Sequence, residues 1–178
     1  MVLMQSNARI WAENFTVADL PKLAGFLPRI VLKDYITLNN LVFTQELREE
    51  EQYIRSIISI GLDGIIIQNI GIFRLIRRIF LNFSIYASTQ MIITSDASVK
   101  FPEYLGCNLV VITHECSLSN ISKIQSMMAF QGHSLPLGVI IYEALCAASS
   151  GQYLAIEALG ELFLNWGSMP KLVGYHMN

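Results

Sequence analysis

The sequence predicts an α/β fold, specifically an incomplete TIM-type (β/α) barrel of about five parallel strands alternating with helices. Three observations carry the prediction. Short β-branched runs recur along the chain, each followed by a stretch with helical spacing, roughly 20–30 residues to a unit, enough for a parallel crossover connection. Polar residues cluster at the carboxyl ends of several of these runs, at Asn39, Gln68 with Asn69, Ser88 to Gln90, His114 with Glu115, and Glu143 with Cys146, where barrel enzymes place their sites. The turn after the first run, Leu38-Asn39-Asn40-Leu41, contains no glycine, which argues against a doubly wound sheet with a phosphate-binding first turn.

Taken in order, residues 30–38 read as a strand and 44–60 as an amphipathic helix with Glu46, Arg48, Glu49 and Glu50 on its wet side. Residues 64–68 form the second strand, leading through Gly71 into a helix over 72–80. The third strand is 84–87, and its helix, 94–105, has Ser95 and Asp96 placed to cap it. Residues 109–113 and 117–128 make the fourth pair, and 137–142 and 153–163 the fifth. No repeat, low-complexity tract or linker intervenes, so residues 1–178 are expected to form a single domain, a length able to bury one core. Five strands do not guarantee closure, and the outer apolar strands of such a set need a partner.

The apolar share of 53% and mean hydropathy of +0.45 are high for a chain with 15% charge. A membrane span is still excluded by the sequence, because the richest segments, 58–73 and 135–148, are interrupted by Asp63 or Glu143 and fall short of the roughly 20 apolar residues a span requires. Buried parallel strands account for the same composition. The formal charge of −2 argues against a nucleic-acid binder that works by neutralising phosphates. Arg74, Arg77 and Arg78 cluster at helical spacing, and their ordinary reading is a solvated helix face. Three cysteines, Cys107, Cys116 and Cys146, form neither a disulfide framework nor a Cys-x-x-Cys pair, as expected of a reducing compartment. The opening Met1-Val2-Leu3-Met4-Gln5 has neither the basic region of a secretory signal nor the composition of a transit peptide.

Candidate site residues follow from the strand ends. His114 beside Glu115 suggests a general base with a carboxylate neighbour, although adjacent residues in extended chain face opposite ways. Asn39, Gln68 and Gln90 carry donors and acceptors suited to a planar amide or base edge, and structural hydrogen bonding at the ends of buried strands is the alternative. A serine nucleophile built on Ser88 and His114 lacks a glycine-flanked elbow. Nothing in the sequence brings His114 or His133 to the Cys146 thiol. His114, His133 and His176 have no zinc-ligand spacing.

A series of segments resembles the collagenase-like peptidase family, U-32. They run in order: Asn7-Ala8-Arg9, Ala12-Glu13-Asn14-Phe15-Thr16, Ile36-Thr37-Leu38-Asn39, Gly64-Ile65-Ile66-Ile67-Gln68, Tyr86-Ala87-Ser88-Thr89-Gln90-Met91, Glu115 with Leu118-Ser119, Ala144-Leu145-Cys146, Ser150-Gly151-Gln152, Glu157-Ala158-Leu159-Gly160, and Asn165 with Gly167. The resemblance implies a barrel-like catalytic domain. It also implies one of two activities, peptide hydrolysis as the family label has it, or hydroxylation of an RNA base or a quinone-pathway ring by members whose four cysteines hold an iron-sulfur cluster. Cys146 matches the first of those cysteines, and Tyr153, Met169 and Val173 stand at the other three. Such clusters are held by thiolates, usually four, so no cofactor is expected here.

Other departures fall at the same edge. His114-Glu115 replaces an Arg-Glu pair, Tyr142-Glu143 replaces a His-Gly pair, and Trp11 and Trp166 replace basic residues. Against the family pattern the chain also starts late, without the strand and helix that usually precede Asn7-Ala8-Arg9, and stops soon after the cysteine region. The expectation is a truncated, degenerate homologue. The alternatives are an active peptidase or hydroxylase, and a partner-binding remnant that self-associates or pairs with an intact homologue through open strand edges. A soluble protein of the cytoplasm or plastid is expected, the plastid only through resemblance to the plant and cyanobacterial branch.

Overall fold

The computed structural model describes residues 2–6, 33–39, 42–141 and 174–177, together with Lys22. The chain divides into two compact units, Met1–Tyr86 and Ala87–Asn178.

In the first unit, β1 (Val2–Ser6) pairs in parallel with β2 (Asp34–Leu38), and β2 pairs in parallel with β3 (Gly64–Ile67). The Ile65 N–H donates to the Ser84 carbonyl at 3.0 Å, which ties β3 to the segment entering β4 (Ile85–Ala87). Helix α1 (Leu47–Ser59) follows β2 after a 3-10 turn, Thr44–Glu46, and helix α2 (Ile70–Ile79) follows β3. One face of β2 and β3 carries Ile36, Leu38, Ile65 and Ile67, each at most 2% exposed. The helices contribute Ile54, Ile57, Ile72, Phe73 and Ile76 to the same buried set. Continuous isoleucine in β3 is what a strand buried on both faces requires, and the branched side chains suit the pleat.

Helix α2 starts where it does because Asn69 caps it. Its Oδ1 accepts from the N–H groups of Gly71 at 2.8 Å and Ile72 at 3.2 Å, satisfying two of the donors a helix start leaves unpaired. At the amino ends of β2 and β3, Asp34 and Asp63 clasp each other's backbone. The Asp34 N–H donates to Asp63 Oδ2 at 2.9 Å and the Asp63 N–H to Asp34 Oδ1 at 3.1 Å. Asp34 is buried. Desolvation first, then its contact with the Asp63 side chain, raises its pKa above the ordinary 3.8.

In the second unit, α3 (Asp96–Tyr104) leads to β5 (Leu109–Val111), then α4 (Leu118–Phe130) and β6 (Leu137–Ile140). β5 and β6 are parallel, and β7 (Gly174–Met177) joins β6 antiparallel. Ser95 caps α3 with its hydroxyl on the Ser98 N–H, as its position predicts, and Ser117 caps α4 through the Asn120 N–H. Gly106 and Gly132 close α3 and α4 at φ 84° and 76°, a left-handed conformation that favours glycine. Glu103 and His133 meet at 2.5 Å beside these helix ends.

The alternation of strand and helix is as predicted, with all five expected strands present and strands lying side by side in chain order within each unit. Two strands are additional. β1 precedes Asn7-Ala8-Arg9, so an opening strand expected to be missing is present, and β1 and β7 give the outer predicted strands, β2 and β6, a neighbour each. The last predicted helix, 153–163, lies outside the described residues. No helix among the described residues is long and apolar enough to cross a membrane.

Candidate functional site

The register of β2 on β3 defines what the strand ends present. Tyr35 is opposite Gly64 and Thr37 opposite Ile66. Side chains alternate faces, so Tyr35, Thr37 and Asn39 share one face with Gly64, Ile66 and Gln68, the face turned away from Ile36 and Leu38. Tyr35 lies over Gly64, where an added Cβ would be 2.9 Å from its ring carbons. Its hydroxyl bonds that of Tyr86 at 2.9 Å, with ring centroids 4.8 Å apart. Burial and the Tyr86 hydroxyl push the Tyr35 phenol well above its ordinary pKa of 10.0, so it stays neutral.

Toward the carboxyl end this face becomes polar and uncharged. Gln68 Nε2 donates to the Asn39 carbonyl oxygen at 2.5 Å, joining two of the predicted site residues. Thr37 Oγ1 and Asn39 Oδ1 are buried and have no hydrogen-bond partner among the described residues. A buried polar atom left in that condition costs about 1–3 kcal/mol, and such atoms are uncommon in folded proteins. Thr37 was not singled out by sequence, because a β-branched residue inside a strand reads as ordinary strand content.

Gln90, His114 and Glu115 belong to the second unit, on separate strand-end loops. Gln90 sits in a 3-10 turn, Thr89–Met91, started by Ser88, whose Oγ accepts from the Gln90 N–H at 3.3 Å. Ser88 is 2% exposed, so its hydroxyl serves the turn and does not present itself as a nucleophile. The turn ends at Ile92 with φ 55° and ψ 52°, a left-handed conformation that costs a branched residue about 1–2 kcal/mol. Strain of this kind collects at functional loops.

His114 and Glu115 are exposed and form the tip of a turn closed by the Cys116 N–H on the Thr113 carbonyl at 3.2 Å. Thr113 Oγ1 and Cys116 Sγ are 3.6 Å apart. β5 stops at Val111, so the pair is not extended strand and is free of the opposite-face constraint.

Cys107 and Cys116 flank β5 on opposite sides and are not joined in a disulfide. Cys146, Tyr153, Met169 and Val173 lie outside the described residues, as does Glu143. Among the described residues no group of three His, Cys, Asp or Glu side chains is placed to hold a metal ion. In the arginine cluster Arg74 and Arg78 are exposed, as a solvated helix face requires, and Arg77 is half-buried. Arg77 donates to the Phe83 carbonyl at 2.5 Å and lies 5.5 Å from the Phe73 ring centroid, while Arg78 reaches Glu51 at 3.7 Å.

Parallel strand–helix units with polar groups at their carboxyl ends define an α/β protein of the (β/α) barrel type, and a solved structure agrees. The U32 peptidase Mk0906 superimposes with a TM-score of 0.62 at 8% identity, over 78% of this chain and 59% of that one. The chain belongs to peptidase family U32, whose profile matches residues 2–168. Curated relatives carry different names. The 23S rRNA 5-hydroxycytidine C2501 synthase of Escherichia coli K12 is 30% identical over 82% of this chain, and the tRNA hydroxylation protein P1 of Bacillus subtilis is 26% identical over 79%. The collagenase of Porphyromonas gingivalis is 23% identical over 82%. The matched region spans 21%, 32% and 36% of these three relatives.

Proposed function

We propose that this chain is a degenerate member of the family, one that keeps the (β/α) scaffold and a polar strand-end surface and does not assemble an iron-sulfur cluster. The donor set carries this reading. At the positions that resemble the family's four cluster cysteines stand one thiol, Cys146, one phenol, Tyr153, one thioether, Met169, and one alkyl group, Val173. Iron-sulfur clusters are held by thiolates, and this set supplies one. Cys107 and Cys116 cannot complete it as a pair, since β5 separates them. The residues present do not fit the cluster, and no chemical step is routed through one.

What remains is polar strand ends in each unit. In the first, Gln68 is oriented by its bond to the Asn39 carbonyl; in the second, Gln90 is held by its 3-10 turn, and His114 with Glu115 places an exposed imidazole and carboxylate after β5. In the peptidase reading, favoured by the collagenase relative, Glu115 or His114 would serve as general base. That reading requires gelatin hydrolysis that disappears in Glu115→Gln and His114→Ala, and its absence in the wild-type chain sinks it. In the hydroxylase reading, favoured by the RNA-modifying relatives, the missing thiolates are the obstacle.

The deciding experiment is iron and acid-labile sulfide measured on anaerobically purified protein after reconstitution. Degeneracy requires neither above background. One cluster per chain would overturn it.

A further inference from the structure

We infer that the carboxyl end of the β2–β3 pair is a binding site for a planar, uncharged NH2 group, such as the exocyclic amine of a nucleobase or a carboxamide. The inference deepens the reading of this strand end as a retained polar surface and rests on it.

Two buried acceptors carry the argument. Thr37 is 4% and Asn39 9% exposed, and among the described residues neither Thr37 Oγ1 nor Asn39 Oδ1 has a hydrogen-bond partner. Thr37 lies in β2 and Asn39 directly follows its last residue, so the strand direction puts them about 7 Å apart. The neighbouring groups restrict what can satisfy them. One N–H of the Gln68 amide is engaged with the Asn39 carbonyl, which leaves its second Nε2–H and Oε1, while the Thr37 hydroxyl can accept or donate. Asn39 Oδ1 and Gln68 Oε1 can only accept, so the group that satisfies both is one that donates.

Charge narrows the class further. On the shared face of β2 and β3, residues 35, 37, 39, 64, 66 and 68 include no ionisable side chain except Tyr35, which burial and then its Tyr86 partner hold neutral. Asp34 and Asp63 are occupied with each other at the opposite, amino end of the strands. An ammonium or guanidinium group would arrive without a counter-charge, and burying an unpaired ion is heavily penalised. Ile66 is the apolar cross-strand neighbour of Thr37, and the Tyr35–Tyr86 pair lies on the amino-terminal side of it.

The test uses the full chain and two pairs of probes matched in shape, each exchanging an NH2 group for oxygen: cytidine against uridine, and nicotinamide against methyl nicotinate. Affinities are read by calorimetry or by chemical-shift titration. The amine-bearing member of at least one pair should bind tenfold or more tightly than its oxygen counterpart, because the counterpart sets acceptor against acceptor. Preference within the first pair alone assigns a nucleobase amine, within the second alone a carboxamide, and within both the shared group. Asn39→Leu should abolish the preference. Thr37→Val, which removes a buried hydroxyl while keeping shape and so should not impair folding, should weaken the amine-bearing probe several-fold. Equal binding within both pairs, no binding at millimolar concentration, or a preference unchanged in both variants would overturn the inference. Iron content of the same preparation is independent of every one of these outcomes, so failure of the degenerate-enzyme reading and failure of this one are distinguishable.

Discussion

Replacing Gly64 by alanine tests the packing that sets the polar face in place. A Cβ at this position would be 2.9 Å from the Ser84 carbonyl oxygen and 2.9 Å from both Cδ1 and Cε1 of Tyr35, against roughly 3.5–4.0 Å for unstrained carbon contacts. Neither neighbour can give way cheaply. The Ser84 oxygen accepts the Ile65 N–H at 3.0 Å and so belongs to the β3–β4 ladder, and the Tyr35 ring is tethered by its hydroxyl to Tyr86. Overpacking of this kind costs about 1–3 kcal/mol. Loss of glycine freedom in the unfolded chain returns about 0.4–1 kcal/mol, so a net destabilisation of about 1–2 kcal/mol is expected. Urea unfolding should show a lower midpoint with an unchanged slope. The double variant Gly64→Ala, Tyr35→Leu should recover part of the loss, because it removes the ring and leaves the carbonyl. Gly61→Ala is the contrasting control, since no atom lies within 4 Å and its φ of +91° alone resists a side chain. Removing the Tyr35 ring should not rescue that one. A Gly64→Ala protein as stable as the parent would refute the close approach of Tyr35 to β3, and with it the placement of the Tyr35–Thr37–Asn39 face.

Asp34→Asn should stabilise the fold near neutral pH. The raised native pKa means the folded state binds this proton more tightly than the unfolded chain, so the stability the group contributes is fully present below 3.8 and is lost as pH rises through the native value. Asparagine keeps the acceptor for the Asp63 N–H without the charge, and its advantage in denaturant midpoint should vanish in acid. An advantage independent of pH would contradict the burial of Asp34. Ile92→Gly should leave stability unchanged or raise it by up to about 1 kcal/mol, because φ 55° suits glycine and the side chain is 48% exposed; a clear loss in thermal midpoint would mean the isoleucine makes contacts that outweigh its strain. Asn69→Ala should cost about 1 kcal/mol through loss of the α2 cap, visible in the same unfolding assay, and a neutral result would show the cap to be dispensable.

How much of this could be read from sequence depended on where the information lay. β3 was legible because Gly64-Ile65-Ile66-Ile67 is a β-branched run bounded by turn residues, and the start of α3 because Ser95 and Asp96 precede a helical pattern. β1 and β7 were not, since Val2–Ser6 has one branched residue and Gly174–Met177 has none. Their extended form is set by pairing with β2 and β6, which overrides local preference. The end of β5 at Val111 was missed by two residues because Ile112 and Thr113 continue the branched pattern, while the turn closed on Thr113 takes His114 and Glu115 out of the strand. Asn39, Gln68 and Gln90 were recognisable as polar residues at strand ends. That Gln68 would bond the Asn39 backbone, or that Thr37 would be buried with no partner among the described residues, depends on register between positions 29 apart in the chain. The Asp34–Asp63 clasp has the same separation and the same reason for being invisible.

The claim that the scaffold outlived its cluster is tested most directly by iron and sulfide per chain after anaerobic reconstitution, read beside Tyr153→Cys, Met169→Cys, Val173→Cys in one variant. The parent should hold neither element above background, and the variant, with Cys146 supplying the fourth thiolate, should gain them. A parent chain that binds a full cluster would contradict the account.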